Sequence, residues 1–125
     1  MTQTSQKPPA AGPAAGTATN VVALAGRLTA APEERTLPSG DVIATFRLSV
    51  PRQDTPMSRG SKQTTDWVDC VAFAARCRRT VATWKVGDEV MVDGALRRRF
   101  YRTPVGATTR LEVEVLRARR VARAP

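Results

Sequence analysis

The feature that most constrains this chain is a two-residue alternation of apolar and polar side chains, repeated in short runs between turn residues. Val42 to Val50 carries it most clearly. Val42, Ala44, Phe46, Leu48 and Val50 interleave with Ile43, Thr45, Arg47 and Ser49. Successive strand residues point to opposite faces, so such a run buries one face and wets the other. Val21 to Leu28 repeats the pattern with Val22, Leu24, Gly26 and Leu28, and a glycine inside a strand predicts a bulge or a close backbone approach. Thr64 to Phe73 sends Val68, Cys70 and Ala72 one way and Trp67, Asp69, Val71 and Phe73 the other. Glu89 to Tyr101 sets Val90, Val92, Gly94 and Leu96 against Met91, Asp93, Ala95, Arg97, Arg99 and Tyr101. Thr109 to Leu116 closes the set with Leu111, Val113 and Val115 inward. The period changes only in Ala74 to Trp84. There Cys77, Val81 and Trp84 mark one face of a short amphipathic helix, with Arg76, Arg78 and Arg79 toward solvent and Gly87 as C-terminal cap.

Turn residues punctuate these runs. Pro32-Glu33 breaks the first, residues 38–41 (PSGD) predict a hairpin turn, and residues 103–106 (TPVG) predict another. Residues 51–63, PRQDTPMSRGSKQ, read as a long loop with no structure of its own, a kind of segment that is often functional. The 125 residues suffice for one domain plus tails. Residues 1–19, rich in Pro, Ala, Gly and Thr, are expected to be disordered. The foldable domain is placed at 20–118, and 119–125 is read as a short basic tail, with fraying expected from Arg117. Five short strands with one helix between the third and fourth give the element order of a mainly all-β, five-stranded OB-fold Greek-key barrel.

Several function classes fall away. The chain has no histidine, which removes Ser-His-Asp and Cys-His catalysis and every His-containing zinc site. Cys70 and Cys77 are too few for a structural metal site and read as reduced, buried filler. Asp66 and Asp69 fall three apart in a strand, face opposite sides and cannot act as a pair. No catalytic residue, metal or cofactor is expected. No apolar run reaches the roughly 18–20 residues of a membrane span. The N-terminus carries only Lys7 and no signal-like apolar stretch, so a cytoplasmic location is expected. The net charge of +9 is uneven: residues 1–75 hold 7 basic and 6 acidic side chains, residues 76–125 hold 13 and 5. A basic half points to a polyanionic partner.

Binding single strands without sequence preference needs aromatic rings for the bases and cations for the phosphates. Trp67 and Phe73 share one face of one strand, and Tyr101 stands beside Arg97 and Arg99 on another, in each case opposite the aliphatic inward set. These three rings are the candidate stacking residues. Trp67 has two other readings, a cap on the barrel core or filler between subunits. Trp84 and Phe46 belong to inward sets and read as core. Arg47, Arg52, Arg59, Lys62, Arg97 and Arg99 are the candidate phosphate contacts, while period two sends Arg98 to the opposite side.

From Asn20 to about Leu116 the chain resembles the bacterial single-stranded DNA-binding proteins. The likeness rests on Asn20-Val21 leading to Gly26-Arg27-Leu28, then Pro32 to Arg35, Ser39-Gly40 and Phe46 to Val50. It continues through Thr65-Asp66-Trp67, Val71-Ala72-Phe73, Lys85 to Asp88, Val92 to Leu96, and the arginine-aromatic pairing up to Tyr101. The resemblance implies an OB-fold homotetramer, with a dimer as the alternative, that wraps single-stranded DNA in replication, repair or recombination in the nucleoid. Trp67, Phe73 and Tyr101 match the family's stacking positions, and Arg97 and Arg99 match positions near the bound backbone. Two departures stand out. The loop at 51–63 lacks the stacking aromatic often found there. The sequence closes RARRVARAP with no acid after Glu114, so recruitment of repair and replication enzymes through an acidic tail is not expected. A tail-less paralogue or a primosome-type OB protein, acting mainly through protein partners or RNA, is the alternative.

Overall fold

The computed structural model describes residues 17–125, so the expected disorder over 1–19 lies almost wholly outside the described residues. Seven elements follow one another: β1 (Val22–Leu28), β2 (Glu33–Thr36), β3 (Val42–Pro51), β4 (Thr65–Ala72), α1 (Ala75–Val81), β5 (Glu89–Thr103) and β6 (Gly106–Ala122). The sheet order is β1-β5-β6-β4-β3-β2, and an additional β1–β3 pairing closes five of the strands into a ring. One link, β4 to β6, is parallel. This is the expected five-stranded barrel with its helix after the third barrel strand.

The alternation explains the interior. Leu28, Phe46, Leu48, Cys70, Val90, Val92, Val113 and Val115 are buried in one cluster. Helix α1 packs on β3, β4 and β6 and adds Cys77 and Val81, and the turn after it adds Trp84. Trp84 meets Phe46 edge-on at 5.3 Å between centroids, a favoured geometry for aromatic pairs. Gly26 marks the barrel seam. A Cβ there would come within 2.6 Å of the Ser49 carbonyl oxygen, so the predicted close approach is between β1 and β3. Cys70 and Cys77 are free and buried, and burial pushes the Cys70 thiol up to about 12.

Six details depart from the sequence reading. Strand β2, read as a break, pairs with β3 from Glu33↔Thr45 to Thr36↔Val42. Its sequence, EERT, is exposed throughout and has no apolar alternation to reveal it. Strand β6 does not fray at Arg117 but runs to Ala122. It does so by leaving Leu116 and Val121 without partners as the register against β5 shifts. The end is then tied down: the Ala124 N–H donates to Asp88 Oδ1 at 2.8 Å. Leu96 and Leu111, expected inside, are 43% and 52% exposed, because Leu96 sits at the rim, where the β5–β6 hairpin leaves the barrel, and Leu111 lies beyond it. The helix is shorter than expected and ends at Val81 with Ala82 as its cap. Gly87, at φ 91°, instead shapes the turn into β5, where its N–H donates to the Leu28 carbonyl. The 51–63 loop holds a turn of its own. The Arg59 N–H donates to the Thr55 carbonyl at 2.8 Å, and the Ser58 hydroxyl donates to the Gln53 carbonyl at 2.8 Å.

Candidate nucleic-acid interface

Period two turns Thr45, Arg47 and Ser49 of β3 and Trp67, Asp69 and Phe73 of the β4 segment to the outer side of the barrel; Val71, read with the same set, is buried at 1% exposure. The register sets Arg47 opposite Asp69 and Ser49 opposite Trp67. Trp67 is 61% exposed, so it does not cap the core. The Arg47 guanidinium lies 4.0 Å from its ring centroid while donating to Asp69 at 2.9 Å. A cation–π contact at an exposed site is worth about 0.5–1 kcal/mol. It sets one side of the indole against the guanidinium and leaves much of the ring exposed.

The second ring cluster is built by β6 lying between β4 and β5. Arg99 donates to Glu112 at 2.6 Å and to the Tyr101 hydroxyl at 2.5 Å, and that hydroxyl donates to the other Glu112 oxygen at 2.8 Å. The Arg99 guanidinium also stands 5.5 Å from the Phe73 ring and 4.8 Å from the Tyr101 ring, bridging the two aromatics. Burial, with the Glu112 carboxylate beside it, pushes the Tyr101 hydroxyl up, so it remains a hydrogen-bond donor at neutral pH. Arg110, cross-strand from Arg99, lies 5.2 Å from the Tyr101 ring. An open groove of about 280 Å³ runs past this cluster, and Arg35, Arg47, Tyr101 and Arg110 are among its walls.

The six predicted phosphate contacts divide. Arg47 pairs with Asp69, Arg52 with Asp66, Arg97 with Glu114 and Arg99 with Glu112, at 2.9, 2.9, 3.0 and 2.6 Å. Arg59 and Lys62 sit exposed on the loop between β3 and β4. Among the described residues, neither has a carboxylate within 4 Å. The loop's base is fixed by Arg52, which grips Asp66 with both Nε and Nη2. Arg98 faces the side opposite Arg97 and Arg99, as period two predicts; sequence reasoning did not single out Phe100, Arg102 or Arg110, and missed that Glu112 and Glu114 organise the arginines of β5. The carboxylates lie across the hairpin, 13 to 17 positions along the chain, and the pairing becomes visible only once the register is known. Among the described residues, no three His, Cys, Asp or Glu side chains gather as a metal site, and no helix is long and apolar enough to cross a membrane.

A family model described as the single-strand binding protein family matches residues 19–121. The chain belongs to that family. Curated relatives agree. Single-stranded DNA-binding protein 1 of Staphylococcus aureus (strain COL) is 39% identical over 87 residues, which are 70% of this chain and 51% of that protein. Single-stranded DNA-binding protein A of Bacillus subtilis (strain 168) is 37% identical over 87 residues, 70% and 49% of the two chains. The Thermotoga maritima single-stranded DNA-binding protein is 38% identical over 89 residues, covering 70% and 62%. The chain thus spans about half the length of the first of these relatives. Among solved structures, a Plasmodium falciparum SSB complex with ssDNA superposes with a TM-score of 0.66 at 23% identity. It covers 85% of this chain and 96% of that one, a likeness of fold.

Proposed function

We propose that this protein binds single-stranded DNA without strong sequence preference, stacking bases on Trp67, Phe73 and Tyr101 and neutralising phosphates with the surrounding arginines and lysine. The observation that carries this reading is that each of the three rings stands beside a guanidinium, Trp67 of β4 beside Arg47, and Phe73 just after β4 and Tyr101 of β5 both beside Arg99. Rings and cations on one wall are what unpaired strands require, and the names of the relatives support the same ligand. Binding is passive, involves no cofactor and shields the strand during replication, repair or recombination in the bacterial cytoplasm. Phosphates would be met first by the cations without a carboxylate partner, Arg59, Lys62 and Arg110. Arg47, Arg97 and Arg99 hold the rings and carboxylates in place and offer their remaining N–H groups.

Self-association into a homotetramer, or a dimer, belongs to the same proposal. Strand β1 pairs with β3 at Arg27 and Leu28, so among the described residues its edge from Val22 to Ala25 is unpaired, and an open edge invites pairing with a second strand. Apolar Met91 and Val121 are exposed nearby.

The test is a titration with oligo(dT) of graded length at two salt concentrations, following tryptophan fluorescence. Trp84 is buried, so quenching would report on Trp67. Quenching that weakens with salt is the expected result. An unchanged signal together with no mobility shift would overturn the proposal. Competition with an RNA oligomer of the same sequence would show whether the missing 2′-hydroxyl matters.

A further inference from the structure

Beyond Leu96 the β5–β6 hairpin is an arm, with one face turned toward Phe73 through Arg99 and the other exposed at Arg98, Phe100 and Arg102. Pairing of β1 with β5 ends at Val22↔Gly94, and the Asn20 side chain extends it by two bonds to the Leu96 backbone, both 2.8 Å. The parallel link of β4 to β6 engages only Val113 and Glu114. From Arg97↔Glu112 to Thr103↔Gly106 the two strands, among the described residues, pair only with each other. One face of this arm carries Arg97, Arg99, Tyr101 and Arg110. The other carries Arg98, Phe100 and Arg102, opposite Leu111, Thr109 and Ala107.

The two faces differ in charge. Arg97 and Arg99 are held by Glu114 and Glu112. Among the described residues, no carboxylate lies within 4 Å of Arg98 or Arg102, and the residues facing them across the hairpin are uncharged. Phe100 is 76% exposed, more than Trp67. Arg98 donates to the Thr109 hydroxyl at 3.1 Å, and Thr109 is the cross-strand partner of Phe100. This bond ties the guanidinium to the residue that faces Phe100 across the hairpin. A single exposed apolar side chain needs no explanation by itself. A ring in water between two unneutralised arginines at period-two spacing is a stacking platform with its own phosphate contacts.

We infer that the outer side of the arm is a second single-strand-binding surface, with Phe100 stacking one base and Arg98 and Arg102 meeting the flanking phosphates of a strand that passes over the arm. The inference rests on the single-strand-binding reading above and extends the path of the strand beyond Trp67, Phe73 and Tyr101.

The experiment compares wild type, Phe100→Leu, Phe100→Trp, Arg98→Ala/Arg102→Ala and Trp67→Ala as full chains, each shown by circular dichroism and thermal melting to be folded like wild type. Affinity is measured for a short and a long oligo(dT), and photocrosslinking with iodouridine-containing oligomers is mapped by mass spectrometry. Phe100→Leu keeps an apolar side chain and removes the ring. It should weaken binding of the long oligomer at least fivefold, the lower end of the stacking range, and leave the short one nearly unchanged. Phe100→Trp should restore the affinity, and a crosslink should map to Phe100. The double arginine variant should lower the salt slope by about 1.4, at about 0.7 per phosphate on single strands. If Trp67→Ala weakens binding but Phe100→Leu binds both oligomers as wild type does and no crosslink reaches Phe100, this inference is wrong and the primary reading stands. If wild type binds neither oligomer, the primary reading itself has failed.

Discussion

At the residue scale, ring and hydroxyl of Tyr101 do separable work. The ring is offered to a base, while the hydroxyl joins Arg99 to Glu112, which is 4% exposed. Tyr101→Phe should therefore bind oligo(dT) almost as wild type but lose about 1 kcal/mol of stability in urea, the usual net value of a hydrogen bond, since Arg99 still satisfies the carboxylate. Tyr101→Ala should lose stability and affinity together. Trp67→Ala removes a ring that packs on little but Arg47, so its melting temperature should hold while binding weakens by roughly 1–3 kcal/mol in a fluorescence-independent assay such as mobility shift. The placement of Trp67, Phe73 and Tyr101 was legible in the sequence because one local rule, period two, decides which way each points. The pairing of Arg97 with Glu114 and Arg99 with Glu112 was not, since it depends on how β5 and β6 are aligned. Phe100 was overlooked for a related reason: it lies in phase with Leu96, which was assigned to the core, and only the departure of the arm from the barrel exposes both.

At the element scale, the seam and the chain end are the places where small changes should matter most. Gly26→Ala would drive a methyl group into the Ser49 carbonyl, next to the Arg27↔Ser49 and Leu28↔Leu48 pairing that closes β1 on β3. Overpacking of this kind costs roughly 1–3 kcal/mol, readable as a lower urea midpoint. The C-terminal end of β6 hangs on Asp88, which is 2% exposed. It accepts from the Lys85 N–H at 2.9 Å and the Ala124 N–H at 2.8 Å. These backbone bonds, with Arg120 and Arg123 nearby, hold its carboxyl below the usual carboxylate range despite burial. A carboxyl with a lowered folded-state pKa stabilises the fold at pH above its ordinary value and loses that contribution as pH falls through the folded value. Stability should thus be level near neutrality and decline below about pH 4. Asp88→Asn should melt at lower temperature at pH 7 and show a smaller further loss on acidification. The strands with apolar alternation were legible, and the apolar spacing of α1 was too. Strand β2 was not, because four exposed polar residues leave no periodic mark. The last stretch of β6 was hidden because Arg119, Arg120 and Arg123 read as a solvated tail until the bulge at Leu116 restores the register and Asp88 supplies the anchor.

At the scale of the whole molecule, the +9 charge overstates what a nucleic acid can use at the proposed interface. Four cations there, Arg47, Arg52, Arg97 and Arg99, already face carboxylates. Six others, Arg35, Arg59, Lys62, Arg98, Arg102 and Arg110, have no such partner among the described residues. Each phosphate neutralised on a single strand contributes about 0.7 to the fall of log affinity with log salt, through release of condensed counterions. If only the six free cations engage, the slope should lie near −4 per chain. If the ion pairs open and their arginines turn to phosphates, it should approach −7. Fold class and charge asymmetry, both legible in the sequence, cannot choose between these values, because the choice depends on which arginines the barrel has already spent on its own acids. Salt titrations of wild type and of Glu112→Gln with a long oligo(dT) decide it. Freeing Arg99 should steepen the slope by about one charge's worth if the ion pairs normally stay closed. An unchanged slope in the variant, with wild type already near −7, would mean that binding breaks these pairs and that the carboxylates serve to position the arginines in the free protein alone.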